Sequence, residues 1–193
     1  MKKPFIITES LIYLAFIIMD LTGIDSTYVK YSGIVLCLIF AIYSRKKFQS
    51  ASMTFTLIAD YFLLVLNDHY EIGLLSFIIV QIIYFYFLGN IKKAYFNMFL
   101  LIRGFLIICG SLILPLFNAM NLLNELVLIY FLNLLLNAAQ AWLSGNKILA
   151  VGLTLFVCCD ICVGLHNINA AFALATFLMW VFYLPSQVLI VLS

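Results

Sequence analysis

Apolar residues run in long stretches along this chain, and polar residues come in brief clusters between them. The stretches are continuous rather than alternating, and backbone groups in hydrocarbon must satisfy one another internally, so they predict helices rather than the strands of a barrel. Reading each run between its polar breaks predicts helices over 5–22, 31–44, 51–67, 72–89, 95–117, 122–143, 147–165 and 168–192. Some fall short of the roughly 20 residues that a span needs, which implies a thin membrane or interfacial ends. The expected fold class is an all-α integral membrane protein, one polytopic domain over residues 1–193 with about eight transmembrane helices.

Composition supports lipid as the solvent. Of 193 residues 66% are hydrophobic and 9% charged, against roughly 25% charged in a soluble domain. A soluble core could not hide apolar runs that recur along the whole chain. A formal charge of +2 leaves no electrostatic footprint for nucleic acid, and none is expected as a partner. Lys2 and Lys3 before an apolar run look like a secretory signal. Glu9 and Asp20 interrupt that run and no small-residue cleavage site follows, so the reading is a retained first helix. Cys37, Cys109, Cys158, Cys159 and Cys162 all lie in apolar runs and read as buried, inert thiols. One C-x-x-C pair, Cys159 and Cys162, is too little for a metal site; no metal and no cofactor is expected.

Charge placement predicts the topology. With the amino terminus in the cytoplasm and eight crossings, Lys2, Lys3, Arg45, Lys46, Lys47, Lys92, Lys93 and Lys147 all fall on the cytoplasmic side, and Lys30 alone falls opposite. Every cytoplasmic loop then obeys the positive-inside rule, and both termini are cytoplasmic. A bacterial plasma membrane is the expected location, from the compact design.

A second pattern is a hint of two parallel four-helix repeats. At an offset of 100 residues Thr54 maps on Thr154, Asp60 on Asp160, Asn67 on Asn167, Ser44 on Ser144, Lys47 on Lys147 and Phe77 on Phe177. Total identity at that offset is near chance, so only the rarity of the matched polar residues carries weight. Such a repeat makes the third and seventh helices equivalent and puts both aspartates at one depth.

Those aspartates carry the candidate chemistry. Asp60 and Asp160 lie roughly 14 to 20 Å into their helices, where an ionisable group costs at least about 2.5 kcal/mol and is usually functional or paired. The bland reading is an inter-helix hydrogen bond or an ion pair with Arg103. Asn67 and Asn167 each follow an aspartate by seven residues, two helical turns, which predicts a polar stripe on one face from mid-membrane to the outer rim, where a lipid headgroup enters. Asp68, His69, Glu71 and His166 cluster at that rim and read as wet loop residues. Arg103, always charged, needs a carboxylate, a phosphate or an interface. Glu9, Asp20 and Glu125 are close enough to helix ends for solvent to account for them.

Four helices resemble one family, the YhhN-like lysoplasmalogenases. In the third helix the resemblance lies in Leu57-Ile58-Ala59-Asp60 with Leu63 and Leu64; in the fourth, in Gly73, Phe77, a polar residue at Gln81 and Tyr84. The seventh contributes Gly152, Phe156 and Asp160, and the eighth Tyr183, Gln187 and Leu189-Ile190. The chain departs from the pattern at Gln81, where the family has His, at Cys159, where it has Ser, and at Ser186, where it has Ala. Gln81 cannot carry a proton as imidazole does, so a mechanism that needs that histidine is in doubt here.

The resemblance implies hydrolysis of the vinyl-ether bond of a lysophospholipid, a lysoplasmalogen, to a fatty aldehyde and glycerophosphocholine or glycerophosphoethanolamine. Asp60 and Asp160 are then acid and stabiliser or base, in an order the sequence leaves open. Asn67, Gln81, Tyr84, Asn167, Tyr183 and Gln187 are candidates to position substrate or water, with Arg103 on the phosphate. Two other classes compete. A proton-coupled transporter of a small solute or lipid also suits paired intramembrane acids, although Pro115 and Pro185 interrupt helices at non-equivalent places. A scaffold would use the same polar residues only to join helices.

Overall fold

The computed structural model describes residues 2–117, 119–168 and 173–193. Among the described residues eight α-helices follow one another: α1 Lys2–Leu21, α2 Thr27–Tyr43, α3 Lys47–Asp60, α4 Tyr70–Ile91, α5 Phe96–Ile113, α6 Leu122–Ser144, α7 Lys147–Ile168 and α8 Ala173–Leu192. A π-helical turn, Tyr61–Leu66, prolongs α3, and short 3-10 turns cover Lys93–Tyr95 and Leu114–Phe117. Seven segments of the described residues are long and apolar enough to cross a membrane; α2, at 17 residues, is the short one. The chain is thus an all-α, multi-pass membrane protein, and large apolar side chains such as Leu101, Phe105 and Leu112 stay exposed because their solvent is lipid.

The helix ends have local causes. Asn121 caps α6 by accepting from the backbone N–H of Asn124 at 2.8 Å, and Gly145, at φ 83°, ends it in the left-handed conformation that glycine adopts without strain. Pro185 lies inside α8. Its missing N–H leaves the Val181 carbonyl without its helical partner, and the Tyr13 hydroxyl of α1 donates to that carbonyl at 3.2 Å. Predicted boundaries shift by a few residues: α7 runs to Ile168, not 165, so the predicted start of the last helix falls on the end of α7.

Consecutive helices pack on one another, α1 to α4 in the first half and α5 to α8 in the second, and the halves meet where α4 lies on α6 and where α8 lies on α2 and α1. Advancing each label by four exchanges the α4–α6 and α8–α2 junctions, as in two parallel four-helix repeats. The likeness is broken where α3 passes into its π-helical turn, while α7 continues as α-helix.

The basic loops gather at one end. Lys46 Nζ donates to the carbonyls of Val191 and Leu192 at 3.1 and 3.0 Å, and Lys92 Nζ to that of Leu143 at 3.2 Å. Cations there suit the carbonyl ends of α8 and α6, and this is the end that the positive-inside rule expects on the cytoplasmic side. Lys30, the exception in the sequence, is neutralised: it pairs with Asp20 at 2.8 Å, and its ammonium sits 5.1 Å from the Trp180 ring centre.

Two sequence expectations fail in the interior. Glu9 is not solvated at a helix end, because α1 begins at Lys2 and Glu9 falls two turns in; it is buried, and Cys37 Sγ donates to it at 3.4 Å. The cysteines are free, as expected, but Cys109 and Cys158 are only half-buried, since each lies on a helix flank that meets few neighbours.

Candidate active site

Asp60 is the last residue of α3 before the π-helical turn, and is 5% exposed. From α8, the Tyr183 hydroxyl reaches both of its carboxyl oxygens, at 2.8 and 2.7 Å. A buried carboxyl without a donor is costly; this one has its donor in a residue 123 positions away. Asp160, at mid-length in α7, is less enclosed. Its Oδ2 has no hydrogen-bond partner among the described residues, and neither has the Tyr130 hydroxyl of α6, which faces it. The two carboxyls are near enough for their charges to act on one another.

Aromatic rings form the walls around the pair. Phe156, one turn before Asp160, meets Tyr183 edge-on at 5.4 Å and Phe77 of α4 at 5.7 Å. Phe77 stacks on Tyr130 at 5.4 Å, and Trp180 stands edge-on to Tyr183 at 5.3 Å. These offset and edge contacts fix ring positions and, through them, the hydroxyls they carry. Gly152 lets α8 approach α7: a Cβ there would lie 3.1 Å from the Ser186 carbonyl and from the Ile190 amide.

A second polar network stands beside the first. Arg103, buried in α5, donates from Nη1 to Asn133 at 2.6 Å and from Nη2 to Asn137 at 2.6 Å and Gln140 at 3.4 Å. Its guanidinium lies 4.2 Å from the Phe85 ring centre. Asn137 in turn donates to the backbone and side-chain oxygens of Gln81, at 2.8 and 2.9 Å. Arg103 thus finds amides and a ring rather than an aspartate, and the ion pair offered as the bland alternative for the aspartates does not form.

The expected stripe toward the outer rim is also corrected. A π-helical turn is wider than an α-turn, so it rotates the residues after Asp60 off its face. Asn67 ends the segment in the left-handed conformation, φ 51°, exposed and accepting from Tyr70. Asn167 stays on α7, exposed near its end. The structure therefore brings together Asp60, Asp160 and Tyr183, places Gln81 and Arg103 in the adjoining network, buries Tyr84 and Gln187 toward the basic face, and leaves Asn67 and Asn167 at the rim.

Tyr130, Asn133 and Asn137 are residues the sequence reading missed. The amides at 133, 137 and 140 recur at helical spacing in an apolar run, and that periodicity was the available signal. Among the described residues no three His, Cys, Asp or Glu side chains converge to hold a metal ion. Two clefts, one beside Tyr86, Asn90 and Lys93 and one beside Gln49 and Tyr84, lie away from both aspartates.

No curated protein and no solved structure matches the chain. The family model that matches is described as the YhhN family, over residues 26–193, from just before α2 through α8 and so including every residue of the aspartate cluster. The chain belongs to the YhhN family.

Proposed function

We propose that this protein hydrolyses the vinyl-ether bond of lysoplasmalogens, with Asp160 as the acid and Asp60 as the carboxylate that stabilises the cation. The observation that carries the reading is the inequality of two neighbouring carboxyls: Asp60 is clamped by Tyr183, while Asp160 keeps one oxygen unpartnered and is less enclosed. Acid-catalysed hydrolysis through an oxocarbenium-like cation uses two carboxyl groups in different environments, as glycoside cleavage does.

Asp160 gives a proton to the β-carbon of the vinyl ether, and the positive charge spreads over the α-carbon and the ether oxygen. Asp60 lies near enough to lower the energy of that cation. Water adds to the α-carbon, its proton restores the acid, and the hemiacetal collapses to a fatty aldehyde and the glycerophospho-alcohol. One water is consumed and no proton is used up.

Tyr183 holds Asp60 in place. Arg103 keeps an unpartnered Nε, a donor for the substrate phosphate, with Gln81 holding the shared Asn137. Asn67 and Asn167 stand where a headgroup enters from the outer rim.

The test is aldehyde release by detergent-purified protein from a lysoplasmalogen and from its saturated ether analogue. Only the vinyl ether reacts, and Asp60→Asn and Asp160→Asn each abolish the release. Full activity in either variant removes that residue from the chemistry, and substrate-dependent proton flux in liposomes without aldehyde replaces hydrolysis with transport.

A further inference from the structure

The aspartate cluster has polar company on its cytoplasmic side. Gln49, Ser52, Thr56 and Asp60 recur every three or four residues along one face of α3, and all four are buried. That face runs about 17 Å at 1.5 Å per residue. Across it stand Tyr84 of α4 and Ser186 and Gln187 of α8, also buried. An apolar core would serve for packing alone, and a polar one is costly unless each atom finds a partner.

Some atoms on this face do find partners. Ser52 donates to the Gln49 carbonyl at 3.0 Å, Ser186 to the Tyr183 carbonyl at 2.6 Å, and Gln187 Nε2 to Ser186 at 3.3 Å. Others find none among the described residues: Thr56 Oγ1, the Tyr84 hydroxyl and Gln187 Oε1. Three buried polar atoms without a protein partner, on facing helices along one line, are what a file of bound water satisfies. At the basic end the line reaches Gln49, Tyr84 and Ser193, which converge there among apolar residues.

We infer that this face of α3, with Tyr84 and Gln187 opposite, is a hydrated path that carries water between the cytoplasmic surface and Asp60. The inference rests on the hydrolase reading for its purpose: the reaction consumes a water, while its lipid substrate comes from the membrane. Separate entry lets the acyl chain fill the aromatic-walled end without blocking water. Thr56, one turn from Asp60, is the positioning residue nearest that carboxylate, and its hydroxyl is free to hold the last water.

Radiolytic hydroxyl labelling of the protein in lipid nanodiscs tests the path without relying on activity. Tyr183 and Tyr84, though buried, label well above Phe16, an equally buried ring that lies outside this polar face. Thr56→Val lowers the Tyr183 label about 10-fold, a change on the scale of one lost hydrogen bond, leaves Tyr84 labelled, and lowers kcat for aldehyde release with KM unchanged; Thr56→Ser restores both. Ser52→Ala, a milder change, lowers the Tyr183 label in the same direction. A Tyr183 label no greater than that of Phe16, or one that Thr56→Val leaves unchanged, overturns the path even if aldehyde release is normal. Labelling that follows Thr56 in a protein releasing no aldehyde keeps the path and removes the hydrolase reading.

Discussion

Tyr183 and Asp60, 123 residues apart in sequence, are joined by a hydroxyl that reaches both carboxyl oxygens at 2.8 and 2.7 Å. The contact ties the end of α3, where the helix widens, to the middle of α8. It also makes the two aspartates chemically unequal, since no described tyrosine makes the same contact with Asp160.

Tyr183→Phe keeps the ring contacts with Phe156 and Trp180 and removes the hydroxyl alone. A hydrogen bond to a buried charged group contributes about 1.5–3 kcal/mol. The variant is expected to lose about 10- to 100-fold in aldehyde release and to unfold at lower temperature in detergent. Unchanged turnover with lowered stability makes Tyr183 a purely structural partner.

The Arg103 network predicts an order of effects. Asn137→Ala leaves a guanidinium and Gln81 short of partners and is expected to cost about 3–5 kcal/mol, the range for a buried charge deprived of its partner. Arg103→Met removes the charge itself and costs less. Thermal unfolding of the two purified variants checks the order, and the reverse order shows that Arg103 is not held chiefly by Asn137.

Two glycines of α7 separate packing from propensity. Gly152→Ala puts a Cβ 3.0–3.1 Å from α8, including its backbone, and is expected to destabilise by about 1–3 kcal/mol. Gly164→Ala meets nothing within 4 Å and is expected to stabilise by up to about 1 kcal/mol through helix propensity. The difference between their unfolding midpoints is the measurement.

Tyr13→Phe leaves the Val181 carbonyl without the donor that replaces the N–H lost at Pro185. The expected loss is about 1 kcal/mol, and Pro185→Ala, which supplies the backbone N–H, is expected to offset it in the double variant. A double variant as unstable as the sum of the singles refutes the compensation.

The sequence alone determined that the chain is a helical membrane protein of about eight crossings, which end is basic, and that Asp60 and Asp160 are the unusual residues. Hydrocarbon imposes those features locally: length, apolar continuity and the cost of a buried acid are properties of one helix at a time. Which side chains meet across helices was decided by tertiary structure. Asp60 meets Tyr183 because that side chain reaches across from α8, and Arg103 meets three α6 amides rather than an aspartate because α5 packs chiefly on α6. Asn67 leaves the face of Asp60 because six residues take a π-helical turn that no composition announces. A helical period fixes which residues share a face, but the partner that face meets is set by packing between segments far apart in the chain.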